Sequence, residues 1–344
     1  MKIGILNITG YSGVELARIL AGHPQAELVA VTGRSEAGKP LGAVFPHLSS
    51  LDLMIESEIT DSVDIVFSAL PQKASAEACA PFLKNGTKVI DISADFRLND
   101  PTEYEQWYDL QHPCPEYLEE AIYGLTELNK SAISKARLIA NPGCYPTSAI
   151  LALAPIIKEG ISERQFIIDS KSGVSGAGRG LGLGTHYSEV NESVSAYSLG
   201  GHRHLPEITQ ELQKLSIPEE PMVTFVPHLI PMTRGILSTC YAQLKPNALP
   251  DGEKGAKVLH DLFREFYQDE PFVTVAKTPP ATKHTLGNNQ CLLYPIFDQR
   301  TQRLIIISCL DNLVKGAAGQ AIQNMNVMFG IDETEGLKNL AVFP

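Results

Sequence analysis

Cys144 has the neighbours that would make a thiol reactive. It follows Asn141-Pro142-Gly143 at the end of an expected strand and directly precedes a helix expected from about Pro146. The unbonded N–H groups and the dipole of a helix N-terminus stabilise a thiolate, so the pKa of such a cysteine should fall. A cysteine at the carboxyl end of a parallel strand also faces the ligand crevice, which suits covalent catalysis beside a nicotinamide. Four of the other cysteines fit the default role of small buried hydrophobes. Cys240 and Cys309 lie in apolar strand-like runs, Cys79 in an Ala-rich helix and Cys291 beside an apolar strand. Cys114, between two prolines, gives no signal either way. No C-x-x-C pair and no histidine at zinc spacing is present, so no metal site is expected.

A thiol nucleophile calls for a proton-transfer partner. Among nine histidines, His202 and His204 stand together in Gly200-Gly201-His202-Arg203-His204-Leu205-Pro206-Glu207. Two imidazoles, a guanidinium and a carboxylate within six residues concentrate acid–base and anion-binding groups. By itself the segment reads equally as an exposed polar loop ahead of a helix over 207–215.

A second constellation lies near the start of the chain. The first strand runs into Asn7-Ile8-Thr9-Gly10-Tyr11-Ser12-Gly13 and then a helix. That is the place of a dinucleotide fingerprint, in which glycines let the loop turn tightly and bring backbone N–H groups to a pyrophosphate. Gly10, Tyr11, Ser12 and Gly13 are the candidate contacts. Asn7 tolerates left-handed backbone better than other non-glycine residues, so the turn can form without a glycine there. The motif alone is weak, since any strand–turn–helix can look like this. At the end of the second strand, where NAD sites usually carry an acid, stand Arg34 and Ser35. A guanidinium and a hydroxyl suit a 2′-phosphate, which points to NADP.

The elements that must position these residues fall into two patterns. Up to residue 140, strands (2–8, 27–32, 63–70, 88–92, 137–140) alternate with helices (12–22, 73–84), the signature of a doubly wound parallel sheet. A helix over 147–158 follows. Strands over 165–171, 223–229, 238–244, 290–298 and 303–310, with one helix over 253–267, then predict an α+β domain with a mostly antiparallel sheet. A final helix over 314–329 carries its apolar residues near one stripe, and Gly316, Ala317, Ala318 and Gly319 allow close approach to another backbone.

Bulk properties set the outer limits. With 344 residues, 44% hydrophobic and 19% charged, the chain reads as a globular enzyme of two domains. A net charge of −11 argues against nucleic acid, and no run approaches 18 apolar residues, so no membrane span is expected. The opening MKIGILNI is strand-like and no export signal is read, so the expected setting is cytoplasmic, with reduced thiols.

Taken together, these residues closely resemble the longer form of the N-acetyl-γ-glutamyl-phosphate reductase family of arginine biosynthesis. The resemblance spans nearly the whole chain. It is carried by the segments 10–16 (GYSGVEL), 34–39 (RSEAGK), 91–98 (DISADFRL), 123–127 (YGL-x-E), 141–147 (NPGCYPT), 171–179 (KSGVSGAGR), 202–207 (HRH-x-PE), 227–229 (PHL) and 311–316 (DNLVKG). It departs at Asn7-Ile8, where the family usually has Gly-Ala.

The resemblance implies an NADP-binding Rossmann domain over 1–143 and 312–344, with a catalytic and dimerisation domain inserted over 144–311. It implies that NADPH reduces N-acetyl-γ-glutamyl phosphate, a small anionic acyl phosphate, to the semialdehyde and phosphate through a Cys144 thioester. By match to the family's motif His202 is the acid–base partner, and His204 and Glu207 orient it or bind substrate. Arg97, Arg179 and Arg203 are candidates for the phosphate and carboxylate groups. Ser172 and Gly173 are candidates as backbone donors to phosphate or cofactor, and Asn312 as a further cofactor contact. A homo-oligomer, dimer or tetramer, is expected. The competing expectations are a reductase of aminoadipyl or aspartyl phosphate, and a non-catalytic NADP-binding regulator that has kept the fold.

Overall fold

The computed structural model describes residues 1–215 and 220–344. They form two compact units, one of residues 1–143 with 317–339 and one of residues 144–316 with 340–344. Residues 317–339 return to the first unit, and the last five residues go with the second unit.

The first unit starts with β1 (Lys2–Leu6), α1 (Tyr11–Leu20), β2 (Glu27–Thr32), the one-turn α2 (Leu41–Val44) and β3 (Ile55–Glu56). It continues with β4 (Ile65–Ser68), α3 (Ser75–Lys84), β5 (Lys88–Asp91), α4 (Pro101–Tyr108), β6 (Ile122–Tyr123), α5 (Thr126–Ile133) and β7 (Leu138–Ala140). The strands make a parallel sheet in the order β3-β2-β1-β4-β5-β7-β6. Strands such as Ile65-Val66-Phe67-Ser68 are buried along their whole length, as a sheet covered on both faces requires. The order reverses at β1, which pairs with β2 on one side and β4 on the other. Ligands of such sheets bind at that switch point, beyond the carboxyl ends of the strands.

The second unit comprises α6 (Cys144–Lys158), β8 (Ser162–Ser172), the one-turn α7 (Tyr187–Val190), β9 (Ser195–Ala196) and α8 (His204–Leu215). After these come β10 (Met222–Leu229), β11 (Ile236–Leu244), α9 (Glu253–Phe266), β12 (Val273–Val275), β13 (Cys291–Asp298) and β14 (Arg303–Leu310). Its sheet runs β12-β13-β14-β11-β8-β10-β9, with only the β12–β13 and β8–β10 pairings parallel. It is therefore mostly antiparallel. Alternate residues of β11, β13 and β14 are buried under α6 and α9, and those between them are partly exposed. That is the period-2 pattern of a sheet packed on one face.

Two helices begin earlier than expected. The helix placed at Pro146 starts at Cys144, and the one placed at Glu207 starts at His204. Proline is tolerated within the first turn because the first N–H groups of a helix have no intrahelical acceptor to lose. The final helix is corrected more deeply. It opens as a wide π-turn over Val314–Ala318 and continues as α10 (Gly319–Met328), which is buried on all sides rather than along one stripe. Its polar residues are satisfied inside the first unit. Asn324 donates to the Gly124 carbonyl at 2.7 Å, Gln320 to the same oxygen at 3.0 Å, and Asn326 pairs with His23 at 3.0 Å. Buried amides with partners read as polar in sequence yet belong to a core.

Candidate active site

In the first unit, the loop after β1 has the geometry a dinucleotide loop needs. Asn7 adopts φ +67°, its N–H donates to Thr32 Oγ1 at 3.1 Å and its amide donates to the Ala69 carbonyl at 2.9 Å. The asparagine thus replaces a glycine in backbone conformation while tying β1 to the ends of β2 and β4. A Cβ at Gly13 would lie 2.4 Å from the Asn7 carbonyl oxygen, so only glycine lets α1 pack this close to β1. A Cβ at Gly10 would make only ordinary contacts, 3.6 Å from Asn7 Nδ2 and 3.9 Å from the Ala69 carbonyl oxygen. No side chain caps α1 and no acid stands in its first turn, which leaves an electropositive helix end suited to an anion. Tyr11 is partly exposed at that end, and Arg34 and Ser35 are exposed in the turn after β2.

Arg97 lies in the first unit, in the segment that follows β5. It is buried, and donates from Nε to the Asn141 carbonyl and from Nη2 to the Ile92 carbonyl, both at 2.8 Å. Those bonds fix the chain just before the nucleophile.

In the second unit, Cys144 is the first residue of α6 and the one cysteine of the six that is not buried. Burial raises the thiol pKa of Cys79, Cys114 and Cys240 and pushes Cys309 up to about 12, which keeps those thiols protonated and inert. A Cβ on Gly316 would come 2.7 Å from Cys144 Cβ, so the π-turn packs its glycine directly against the nucleophile.

Tyr145 links the cysteine to the histidines. Its ring stands edge-on to His202 at 5.7 Å and to His204 at 5.9 Å, and Tyr197 and Phe225 reach His202 at 5.5 and 5.4 Å. The Tyr197 hydroxyl donates to the Tyr145 hydroxyl at 3.1 Å. Burial, helped by the nearby Cys144 charge, pushes Tyr197 up to about 12, so both hydroxyls stay protonated at neutral pH. His202 is pushed down to about 4, first by burial and then by Arg203, and is a neutral imidazole at pH 7. Glu207 is buried one turn into α8, whereas Arg179 and Arg203 are exposed.

Ser172 and Gly173 bond within the second unit. The Gly173 N–H donates to the Gly235 carbonyl at 2.9 Å, and the Ser172 hydroxyl donates to the Gly173 carbonyl at 3.0 Å. These groups close the fold on themselves, and Gly173 is needed because a Cβ would lie 2.7 Å from Thr233 O. Asn312 is also engaged within the second unit, accepting from the Gly235 N–H at 2.7 Å and donating to Ser175 Oγ at 3.0 Å. Sequence reasoning missed the aromatic enclosure. Tyr145 was adjacent to the cysteine and open to notice, but nothing in spacing links Phe225 or Tyr197 to it.

Against known proteins, residues 2–136 match the semialdehyde dehydrogenase NAD binding domain and residues 144–312 match the semialdehyde dehydrogenase dimerisation domain. The chain is 55% identical over 343 residues, all of this chain and 99% of the relative, to an N-acetyl-gamma-glutamyl-phosphate reductase of Dehalococcoides mccartyi strain CBDB1. The chain belongs to the N-acetyl-γ-glutamyl-phosphate reductase family. Within the family, the relative from Pelotomaculum thermopropionicum is 50% identical over 352 residues, covering all of this chain and 99% of its own. Among solved structures, aspartate semialdehyde dehydrogenase II of Vibrio cholerae, complexed with ASA, has a TM-score of 0.72 at 17% identity, covering 96% of this chain and 98% of that one. That likeness establishes the shared fold. The chain is thus an oxidoreductase whose first unit binds a nicotinamide cofactor.

Proposed function

We propose that the chain reduces N-acetyl-γ-glutamyl phosphate to N-acetyl-L-glutamate 5-semialdehyde and phosphate, with NADPH as reductant and Cys144 as nucleophile. The observation that carries the reading is the accessible Cys144 at a helix N-terminus, whose neighbour Tyr145 stands edge-on to a neutral, enclosed His202. The helix end favours the thiolate, which attacks the acyl carbon and expels phosphate to leave a thioester. The nicotinamide cofactor, when bound, supplies a hydride to the thioester carbon. Collapse of the resulting hemithioacetal oxyanion releases the aldehyde and restores the thiolate. His202 serves the carbonyl oxygen, and the exposed Arg179 and Arg203 serve the anionic ends of the substrate, with His204 and Glu207 shaping the pocket behind them. Gly10, Tyr11, Ser12 and Gly13 hold the pyrophosphate, and Arg34 with Ser35 reads the 2′-phosphate. The cytoplasm, where thiols stay reduced, is the compartment this chemistry suits.

The substrate choice rests on relatives near 50% identity over the full chain. Turnover of N-acetylglutamyl, aminoadipyl and aspartyl phosphate, or reverse oxidation of the three semialdehydes with phosphate, tests it. The N-acetylated five-carbon substrate should have the highest kcat/KM; a preference for aspartyl phosphate overturns the assignment.

A further inference from the structure

We infer that His202 works as a fixed hydrogen-bond donor to the acyl oxygen and does not take the proton of Cys144, with Tyr197 as a positioning residue that keeps it so. The inference deepens the proposed reaction and rests on Cys144 being its nucleophile.

Its first support is the bonding of the ring. His202 Nδ1 accepts the main-chain N–H of His204 at 3.0 Å, the first residue of α8. Among the described residues that is the one hydrogen bond made by the ring. A nitrogen that accepts from a backbone N–H holds no proton, so in neutral imidazole the proton sits on Nε2. A base for the thiol needs a free lone pair, and the only lone pair of this ring is spent on its own chain.

The second support is the enclosure. Tyr145 from α6, Tyr197 from the segment after β9, Phe225 from β10 and His204 from α8 stand 4.8–5.7 Å from the His202 ring. Tyr145, Tyr197 and His204 stand against the ring, and Arg203 is the charge that acts on it. The tyrosines are protonated and Arg203 is cationic, so none of these groups stabilises an imidazolium. Tyr197 is held at both ends, by its N–H to the Pro227 carbonyl at 3.1 Å and its hydroxyl to Tyr145 at 3.1 Å. It therefore fixes one wall of the ring's surroundings.

The third support is the balance of the reaction. Thiolate attack forms the C–S bond, and loss of phosphate breaks the C–O bond with its electron pair. Hydride addition gives an oxyanion, and re-forming the carbonyl expels the thiolate. No step moves a proton at the acyl group; the single proton consumed ends on the released phosphate and comes from water. What the oxygen needs twice is a donor aimed at developing negative charge, which neutral Nε2–H supplies.

The test uses the full-length protein. Cys144 alkylation by iodoacetamide is followed against pH in the wild type and in His202→Asn, beside turnover. Turnover should fall about a hundredfold or more while the alkylation midpoint moves by less than about half a pH unit. A midpoint raised by about a unit or more shows that His202 shares charge with the thiol and overturns the inference. Nitrogen NMR of the wild type reads the ring directly, independent of how any variant folds. Nε2 protonated and Nδ1 bare at pH 7 is expected; the opposite tautomer, or an imidazolium, overturns it. Tyr197→Ala should bring a histidine titration back toward 6.5 while Tyr197→Phe should not, and no change in Tyr197→Ala removes the positioning role. If Cys144→Ser keeps turnover, the covalent reading itself fails, whatever the imidazole does.

Discussion

Cys144 and Arg34 carry separate parts of the proposed chemistry, and each stands where a simple electrostatic rule gives it a use. Cys144 is the cysteine that escaped burial, while desolvation holds Cys79, Cys114, Cys240 and Cys309 as thiols. Its place at a strand end and helix start was legible in sequence, because Asn-Pro-Gly ahead of a helical run marks both. Arg34 lies exposed after β2, where an NAD enzyme would carry an acid. Arg34→Ala should weaken NADPH binding by about tenfold or more and leave NADH binding nearly unchanged, as read by fluorescence titration of the two cofactors. Equal weakening would remove the 2′-phosphate role. The partners of the backbone around Ser172 and Gly173 were not legible residue by residue. A Gly/Ser-rich run after a strand suggests a phosphate cradle, but here its N–H groups bond to the chain near Thr233–Gly235, some sixty residues away in sequence. Only the pairing of β8 with β11 reveals that.

At the scale of elements, close approach decides the site. The π-turn of Val314–Ala318 sets Gly316 against Cys144, and Gly13 sets α1 against β1. Small residues at 316–319 were readable as a close contact, but their partner was not, since the contact joins positions 172 apart in sequence. Gly316→Ala places a methyl 2.7 Å from Cys144 Cβ. It should cost about 1–3 kcal/mol of stability through overpacking and slow the reaction by displacing the sulfur. Thermal unfolding together with the rate of Cys144 alkylation checks it; normal values for both would show that the turn yields without consequence. Helix periodicity failed for α10 because it is buried all round, with its amides paired to Gly124, Thr126 and His23. Period analysis assumes a solvent face, and this helix has none.

For the whole molecule, both fold classes were readable, since alternating strands and helices give way to long hairpin-spaced strands near Cys144. What remained hidden was the face of the second sheet turned away from α6 and α9. There Ile167, Tyr241, Ile305 and Ile296 lie side by side across four strands, partly exposed. An apolar row of this kind on a domain matching a dimerisation family is proposed to meet a second copy. Ile305→Asp should shift the protein toward monomer in light scattering, and an unchanged mass would place the oligomer contact elsewhere. The central claim, that Cys144 carries the acyl group, is tested most directly without any reductant. Protein mixed with N-acetyl-γ-glutamyl phosphate alone should release close to one phosphate per chain in a burst, and mass spectrometry should find the acyl group on the peptide containing Cys144. No burst and an unmodified Cys144, in protein that turns over normally once NADPH is added, would contradict it.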